Sequence, residues 1–238
     1  MNISVVIPAH NEENFIGSAL KALNNQSIPR NEYEIIVIDN NSTDKTIEVA
    51  KQLGADKIIK ELRQGTNIAR QRGVEASKGE IVAFLDADCV PPSSWLENII
   101  KNLEVSNAVA VSGPYDYGYK KTALIFKSLM FLYERFLLPR ADKLLAFFFG
   151  KPGGVIIGGN FATYRWVIDM IGGLPSVKFW GDDAAIATLI SRKVGRVFFD
   201  PHLIVKSSSR RFEKEGYWRL MYLYSIAYFK VYFKEDYA

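Results

Sequence analysis

Cysteine is nearly missing from this chain, because Cys89 is the only one among its 238 residues. A single thiol cannot form an intramolecular disulfide, and it cannot supply a cysteine-based zinc site. Both kinds of cross-link are therefore excluded, and we expect a protein of the reducing cytosol.

Long apolar runs are also missing, and we expect no leader segment. The start, Met1–Ser4, does not show the charged region and long apolar core of a signal peptide. Outside the predicted core strands, the longest charge-free stretch is Pro152–Tyr164, which is glycine-rich and shorter than the ~20 apolar residues of a membrane span. We expect a soluble or peripheral protein, in the cytoplasm or at the cytoplasmic face of a membrane.

Charge of one sign is not in large excess either. Lys and Arg number 30 against 26 Asp and Glu, which gives a net charge of +4 without a dominant basic stripe. This balance argues against a nucleic-acid partner. The Gly-x-Gly-x-x-Gly and Gly-x-x-x-x-Gly-Lys-Ser/Thr motifs are absent where their folds require them, so the usual dinucleotide and P-loop sites are excluded.

Short apolar strands alternate with helices along the chain. The predicted strands are residues 3–7, 34–38, 57–60, 81–85, 108–112 and 196–199. The predicted helices begin after residue 13, near 47 and at 65, and later segments follow at 182–193 and 217–233. This alternation predicts an α/β fold with a mainly parallel central sheet flanked by helices.

Polar clusters follow three of these strands. They are Pro8–Glu12, Asp39–Asn41 and Asp86–Asp88. Ligands of open α/β sheets bind beyond the carboxyl ends of the strands, so the clusters predict one shared crevice. Turn formation is the alternative for any single cluster, since Asp and Asn favour turns.

The third cluster also predicts a metal site. Asp86 and Asp88 stand two residues apart at a strand exit, where both carboxylates can bind one divalent cation. Phosphate groups would then be met by the metal and by arginines such as Arg70 or Arg210–Arg211. For Arg72 we favour a solvated helix face.

A later acidic pair opens a predicted helix. Asp182 and Asp183 follow Gly181, and either helix capping or general-base chemistry accounts for such a pair. Trp180 beside them is expected either to stack on a sugar ring or to lie in the core. His202 follows a strand and is a candidate third metal ligand, although a lone histidine is more often structural.

These motifs, in this order, resemble the family 2 glycosyltransferases with a GT-A fold. The resemblance extends from Asn2 to His202 and rests on five segments. They are Val5–Glu13, Ile38–Asp44, Ala69–Glu80, Phe84–Asp88 and Gly158–Asn160, followed by the Asp182–Asp183 pair and His202.

The resemblance implies a site for a nucleotide-diphosphate sugar, with a UDP- or GDP-sugar as the expected donor. The implied nucleotide-sugar ligands are Pro8, Ala9, His10, Asn11, Glu12, Asp39, Asn41, Arg70, Asp86 and Ala87. The implied metal ligands, for Mn²⁺ or Mg²⁺, are Asp86, Asp88 and His202. The implied catalytic acids are Asp183, which we prefer as the base, and Asp182, while Gly159, Asn160 and Trp180 are placed on the acceptor side.

Two departures from the family pattern shape the expected reaction. The usual Glu-Asp pair is Asp-Asp here, and the Gln-x-x-Arg-Trp motif of processive synthases is missing. We therefore expect inverting transfer of a single sugar to a hydroxyl of a glycan or glycolipid acceptor. The alternatives are transfer to a polyprenyl phosphate and, from another class, a non-catalytic sugar-nucleotide-binding module.

Aromatic residues make up 13% of the chain and concentrate in its second half. We predict one GT-A domain over 1–238, with a nucleotide- and metal-binding half at about 1–113 and an acceptor-binding half at about 114–238. The aromatic segments 123–138 and 217–233 favour contact with an anionic membrane surface, or packing against the core or a second copy in a homodimer.

Overall fold

Two sheets organise the computed structural model, which describes residues 2–117, 128, 132–175 and 181–233. The strands are β1 (Ile3–Ala9), β2 (Tyr33–Asp39), β3 (Lys57–Lys60), β4 (Ile81–Leu85), β5 (Cys89–Val90), β6 (Ala110–Ser112), β7 (Tyr115–Asp116), β8 (Asn160–Tyr164), β9 (Val197–Phe199) and β10 (Val205–Ser207). The main sheet has the seven-strand order β3-β2-β1-β4-β8-β6-β9, and β5-β10-β7 form a small second sheet.

The main sheet is parallel except at β8, which runs antiparallel to both β4 and β6. The register aligns Ile3 with Tyr33 on one side and with Ile81 on the other, so β1, β2 and β4 end at the same edge. The predicted mainly parallel sheet is therefore confirmed. Strand β8 was not predicted, because its sequence NFATY has neither a long apolar run nor clean alternation.

Helices pack on both faces of this sheet. They are α1 (Ile16–Leu23), α2 (Thr46–Gln52), α3 (Thr66–Ala76), α4 (Trp95–Val105), α5 (Ala141–Phe149), α6 (Arg165–Met170), α7 (Asp182–Lys193), α8 (Arg210–Glu215) and α9 (Tyr217–Phe233). Short 3₁₀ turns at Arg30–Glu32 and Leu138–Arg140 and a π turn at Tyr133–Leu137 accompany them. Much of the predicted helical segment 123–138 lies outside the described residues. Within the described part of the chain, no helix is both long and apolar enough to cross a membrane.

The core lies in two layers, one on each face of the main sheet. Val5 and Ile35 belong to the layer that contains α1 and α4, whereas Val6 and Ile36 belong to the layer that contains α3 and α7. Successive side chains of a strand point to opposite faces, so burial on both sides requires uninterrupted apolar runs. This requirement explains why β1, β2 and β4 could be recognised in the sequence.

Asn160, at the start of β8, joins several parts of the fold from inside. Its side chain is completely buried and its Oδ1 accepts a hydrogen bond from Trp95 Nε1 at 2.9 Å. Its Nδ2 donates to the backbone oxygens of Pro114 and Leu203, at 3.2 and 2.7 Å. The sequence placed Asn160 on the acceptor side. In the structure its polar side-chain atoms bond to Trp95, Pro114 and Leu203 within the protein, and they hold the start of β8 in place.

Replacing this residue tests its structural role. Asn160→Ala leaves Trp95 Nε1 and two backbone carbonyls without their buried partner, so we expect the free energy of unfolding to fall by about 2–4 kcal/mol. Urea denaturation measures this loss. Asn25→Ala is the matched control, because Asn25 is exposed and donates to Lys21 O at a helix end. The control is expected within about 0.5 kcal/mol of the wild type, and equal stability of both variants would contradict the role of Asn160.

Candidate active site

The three predicted polar clusters meet at one crevice of about 290 Å³ at the carboxyl edge of the main sheet. The residues that line it are Pro8, Ala9, His10, Glu12, Asn40, Thr66, Asp86, Ala87, Asp88, Arg210 and Arg211. Residues after β1, β2 and β4 are all represented, as the parallel register requires. Arg210 and Arg211 come from α8, so the crevice combines residues of both predicted halves of the chain.

Arg70 is the buried cation beneath this crevice. It lies on α3 and is only 3% exposed. Its Nη2 donates to Asp86 Oδ1 at 2.9 Å, and its Nη1 donates to Asp183 Oδ1 at 3.3 Å and to Asn67 Oδ1 at 3.1 Å. The two nearby carboxylates raise the pKa of Arg70 against the opposing effect of its burial. A buried charge needs such partners, so Arg70 and the two acids form one electrostatic unit.

The position of Arg70 follows from close packing of α3 on the sheet. A Cβ at Gly73 would lie 2.2 Å from Val6 Cγ1, so only glycine permits this approach. This close approach holds α3 against β1 and β2, where Arg70 reaches Asp86 at the end of β4. Arg72, in contrast, is paired with Glu75 on the exposed face of the helix, as the sequence favoured.

Two adjacent glycines shape the space around the acids. A Cβ at Gly158 would lie 2.2 Å from Asp183 Oδ1, and a Cβ at Gly159 would lie 2.1 Å from Asp86 Cγ. Gly159 was predicted on the acceptor side, and the structure shows it packed against a predicted metal ligand. Tyr115 donates from its hydroxyl to Asp86 Oδ2 at 3.0 Å, so both oxygens of that carboxylate are held in place.

Asp183 lies in the first turn of α7, and the N-cap position belongs to Gly181. Its Oδ2 accepts a hydrogen bond from Gly158 N at 2.9 Å. Withdrawal from water raises the pKa of Asp183, and the Arg70 charge opposes this rise. The side chain is still 44% exposed, so another molecule can reach it. Asp182 shares the same helical turn but makes none of these contacts with Arg70 or Gly158.

Two further carboxylates, those of Glu12 and Asp88, lie on the side of Asp86 away from Arg70 and pair with Arg210. Arg210 Nη2 pairs with Glu12 and, at 3.3 Å, with Asp88 Oδ2, while its guanidinium lies 4.5 Å from the Phe15 ring centre. Burial, followed by the charge of Asp86, raises the pKa of Asp88 to about 6. The carboxylates of Glu12, Asp86 and Asp88 therefore repel one another, and a bound cation would reduce this repulsion.

At the end of β2, Asp39 has an acceptor atom that is unpaired within the described part of the chain, and Asn40 holds the neighbouring loop in place. Asp39 is completely buried, and its Oδ1 accepts from Ser42 N at 3.0 Å. Its Oδ2 is also buried and has no hydrogen-bond partner among the described residues. Asn40, whose role the sequence missed, donates to the carbonyl oxygens of Glu61 and Arg63 and accepts from Gly65 N, so it fixes the loop before α3.

His10, Asn11 and Asn41 mainly shape the loops that frame the crevice. His10 Nδ1 lies 2.9 Å from Asn40 O, and Asn11 Oδ1 accepts from Thr43 N at 2.8 Å. Asn11 and Asn41 have positive φ angles of 55° and 65°, which Asn tolerates better than most residues. Their predicted contact with a nucleotide sugar stays a prediction, and His10 is the one of the three that lines the crevice.

His202 lies apart from the acidic crevice. It lines a separate groove with Arg135, Phe136, Pro139, Arg140 and Pro201. Among the described residues, no group of three His, Cys, Asp or Glu side chains is arranged to hold a metal ion, so the predicted set of Asp86, Asp88 and His202 is not assembled in this structure. Trp180 lies outside the described residues.

Tyr115 was not assigned a role in the site from the sequence, and Gly158 entered only as part of the family-like segment Gly158–Asn160. Tyr115 follows β6 and Gly158 precedes β8, and each reaches the acids only because these strands are neighbours in the sheet. A polar aromatic residue directly after Gly113-Pro114 was the one available signal, since it marks another strand end.

Known proteins share this sequence pattern. The model of glycosyl transferase family 2 matches residues 4–171. Glycosyltransferase AglE of Haloferax volcanii is 37% identical over 122 residues, which cover 49% of this chain and 40% of AglE. A dolichol-phosphate mannosyltransferase of Pyrococcus furiosus is 29% identical over 124 residues, which cover 50% of this chain and 35% of that protein. The matched segments thus span well under half of these two relatives.

A solved structure shares the fold. The mannosyltransferase PcManGT from Pyrobaculum calidifontis, in complex with GDP-Man and Mn²⁺, superposes with a TM-score of 0.68 at 24% identity. The superposition covers 87% of this chain and 56% of that one, which confirms the predicted GT-A fold. The family match includes β1 to β8 and both sides of the Arg70–Asp86 contact. This chain belongs to glycosyl transferase family 2, a family of glycosyltransferase enzymes.

Proposed function

We propose that this protein transfers one sugar from a nucleotide-diphosphate sugar to an acceptor hydroxyl, with inversion at the anomeric carbon. The observation that carries the proposal is the bridge through Arg70, which ties Asp86 in the crevice to the accessible carboxylate of Asp183. In this proposal Asp86 meets the donor and Asp183 meets the acceptor, so the bridge couples the two binding sites. The relatives' glycosyltransferase names support the same reaction class.

The nucleotide fits the end of the crevice nearest β1 and β2. The unsatisfied Asp39 Oδ2 can accept a hydrogen bond from a base or ribose, which would remove the cost of leaving it without a partner. Pro8, Ala9 and Glu12 line the adjacent wall. Arg210 and Arg211 lie where they can pair with a diphosphate, since Arg suits phosphate recognition by two parallel hydrogen bonds. The GDP-Man complex of PcManGT supports this class of donor.

A divalent cation fits the acidic side of the same crevice. Asp86 and Asp88 would hold it, because carboxylate oxygens are the ligands that Mg²⁺ and Mn²⁺ favour. Glu12 Oε2 is buried without a hydrogen-bond partner among the described residues, so its charge adds to the negative potential that a cation would offset. The cation, when bound, would offset the charge of the departing diphosphate as a Lewis acid. The Mn²⁺ in PcManGT supports a metal of this kind.

Asp183 would act as the general base. One of its carboxylate oxygens takes the proton from the acceptor hydroxyl, and the hydroxyl oxygen then forms the bond to the anomeric carbon. The bond from that carbon to the diphosphate breaks on the opposite face, and its electron pair leaves with the diphosphate. The raised pKa makes Asp183 a stronger base than an ordinary aspartate, and Gly158 N and Arg70 fix its orientation.

A lipid phosphate acceptor is a second candidate. The Pyrococcus furiosus relative is a dolichol-phosphate mannosyltransferase, which supports this class of acceptor. A phosphate oxygen is already anionic and therefore needs no general base. The two candidates consequently differ in how strongly they depend on Asp183.

Removing the charge of Asp183 tests the base. Asp183→Asn is expected to lower turnover on a hydroxyl acceptor by about 10²–10⁴-fold, the usual contribution of a general base. Binding of the donor should change little, because Asp183 does not line the crevice. Release of nucleoside diphosphate measures turnover, and calorimetry measures donor binding.

Asp182→Asn is the matched control for this variant, because it removes the same charge from the same helical turn. We expect it to keep most of the turnover. Alkyl glycosides serve as the hydroxyl acceptor in this comparison. If Asp183→Asn kept normal turnover with them and Asp182→Asn lost it, the base would be Asp182. Full activity of Asp183→Asn with a polyprenyl phosphate would favour the lipid phosphate acceptor.

The pKa of Asp88 makes metal binding depend on pH. Its carboxyl is mainly protonated at pH 5 and mainly ionised at pH 7, since its pKa is about 6. Binding of Mn²⁺ must displace that proton, so the apparent affinity should rise about tenfold between these pH values. Titration of Mn²⁺ followed by electron paramagnetic resonance measures the affinity.

Asp88→Asn should bind Mn²⁺ more weakly and lose most of this pH dependence. Asp169→Asn, on the exposed surface of α6, is the control and should behave as the wild type. A wild-type affinity that is flat from pH 5 to pH 7 would argue against Asp88 as a ligand.

A further inference from the structure

Exposed aromatic rings are concentrated on α5 and on the C-terminal half of α9. This aromatic face consists of Phe147, Phe148, Phe149, Phe229 and Phe233. Phe147 and Phe148 are 82% and 68% exposed, although side chains of this size are normally covered in a soluble protein. Ring centres of Phe149 and Phe233 lie 5.1 Å apart, and Phe229 stacks on Phe233 at 6.3 Å, so the two helices share one surface.

The helix geometry keeps these rings outside the core. The inward side of α9 buries Leu220, Ala227 and Val231, and on α5 Leu145 is the buried residue. Tyr232 is also buried and donates from its hydroxyl to Lys151 O at 2.6 Å, which anchors the end of α9 to the segment that follows α5. The rings of Phe149 and Phe233 lie next to the Tyr232 ring, with centres 5.8 and 5.2 Å from it, whereas Phe147 and Phe148 are the most exposed rings of the set.

The charges beside the aromatic face have one sign. Lys143 on α5 and Arg219 and Lys230 on α9 are exposed, and they are the exposed charged residues of these two helices in the described chain. The acid of α5, Asp142, is partly covered and pairs with Arg196 at 3.2 Å, and α9 contains no acidic residue. Aromatic rings combined with lysine and arginine suit the boundary of an anionic bilayer, where rings enter the interface and cations meet the headgroups.

We propose that the aromatic face docks on the surface of a membrane that contains anionic lipid. A bilayer explains both the rings and the charges. A symmetric contact between two copies would explain only the rings, because it brings the same basic residues toward each other. The helices rest on the surface, since neither is long and apolar enough to span the bilayer within the described residues.

The docked helix α9 connects directly to the crevice. Helix α9 starts directly after Gly216, which ends α8, and α8 carries Arg210 and Arg211 of the crevice. The Arg211 guanidinium also lies 5.9 Å from the ring centre of Tyr224, near the middle of α9. If the proposed transfer holds, this arrangement favours acceptors whose polar heads project from a membrane.

Vesicle co-sedimentation tests the docking without donor or acceptor, so its result is independent of the proposed reaction. The chain is mixed with phosphatidylcholine vesicles that either contain or lack phosphatidylglycerol. We expect binding to the anionic vesicles, weaker binding to the neutral ones, and partial release at high salt. The double variant Phe147→Ser/Phe148→Ser should lose at least about tenfold in vesicle affinity, because two rings no longer enter the interface.

The matched control is Leu62→Ser/Val105→Ser, which removes two exposed apolar side chains that belong to neither helix. These are 68% and 70% exposed, so both double variants should melt like the wild type. The control should bind vesicles normally. Failure of the wild type to bind anionic vesicles would overturn the proposal, as would unchanged binding by Phe147→Ser/Phe148→Ser. Light scattering that shows a dimer dispersed by the phenylalanine variant, without vesicle binding, would assign the face to a second copy.

Discussion

The ion pairs of Arg70 are the interaction on which the site depends. Arg70 is buried, and its charge is stable there only because Asp86 and Asp183 stand within hydrogen-bond distance. Without that cation the two carboxylates would repel each other and lose their common orientation. The bridge also joins a strand end of the first half of the chain to a helix start of the second half. One side chain therefore positions the carboxylates of both Asp86 and Asp183.

The rest of the fold holds this bridge at the edge of the sheet. Close packing of Gly73 on Val6 fixes the distance between α3 and the sheet. Gly158 and Gly159, which have no side chains, leave room for Asp183 and Asp86. The antiparallel strand β8 delivers those glycines beside β4, and the buried amide of Asn160 anchors its start. The site is thus a product of how β8 is inserted between β4 and β6. A sheet with parallel neighbours alone would not carry the two glycines to this position.

Sequence patterns predicted the parts of the site that depend on local rules. Apolar runs marked β1, β2 and β4, and their ends marked the crevice, because parallel strands bring their carboxyl ends together. Contacts between distant segments could not be predicted in this way. Asn160 belongs to a motif of the family, yet its burial depends on Trp95 and Leu203, which are far away in the sequence. His202 follows a strand, as predicted, but it lies against Arg135 in another groove. The division into a nucleotide half and an acceptor half stays a prediction, and the crevice contains Arg210 from the second half of the chain.

Binding of a nucleoside diphosphate to Arg70 variants tests the central claim most directly. Calorimetry with UDP and with GDP, each with and without Mn²⁺, compares the wild type with Arg70→Met and Arg72→Met. Both arginines lie on α3, but Arg72 is exposed and pairs only with Glu75 among its salt-bridge partners in the described chain. We predict that the wild type and Arg72→Met bind one diphosphate in the presence of the ion, and that folded Arg70→Met does not. Equal metal-dependent binding by Arg70→Met would contradict the account.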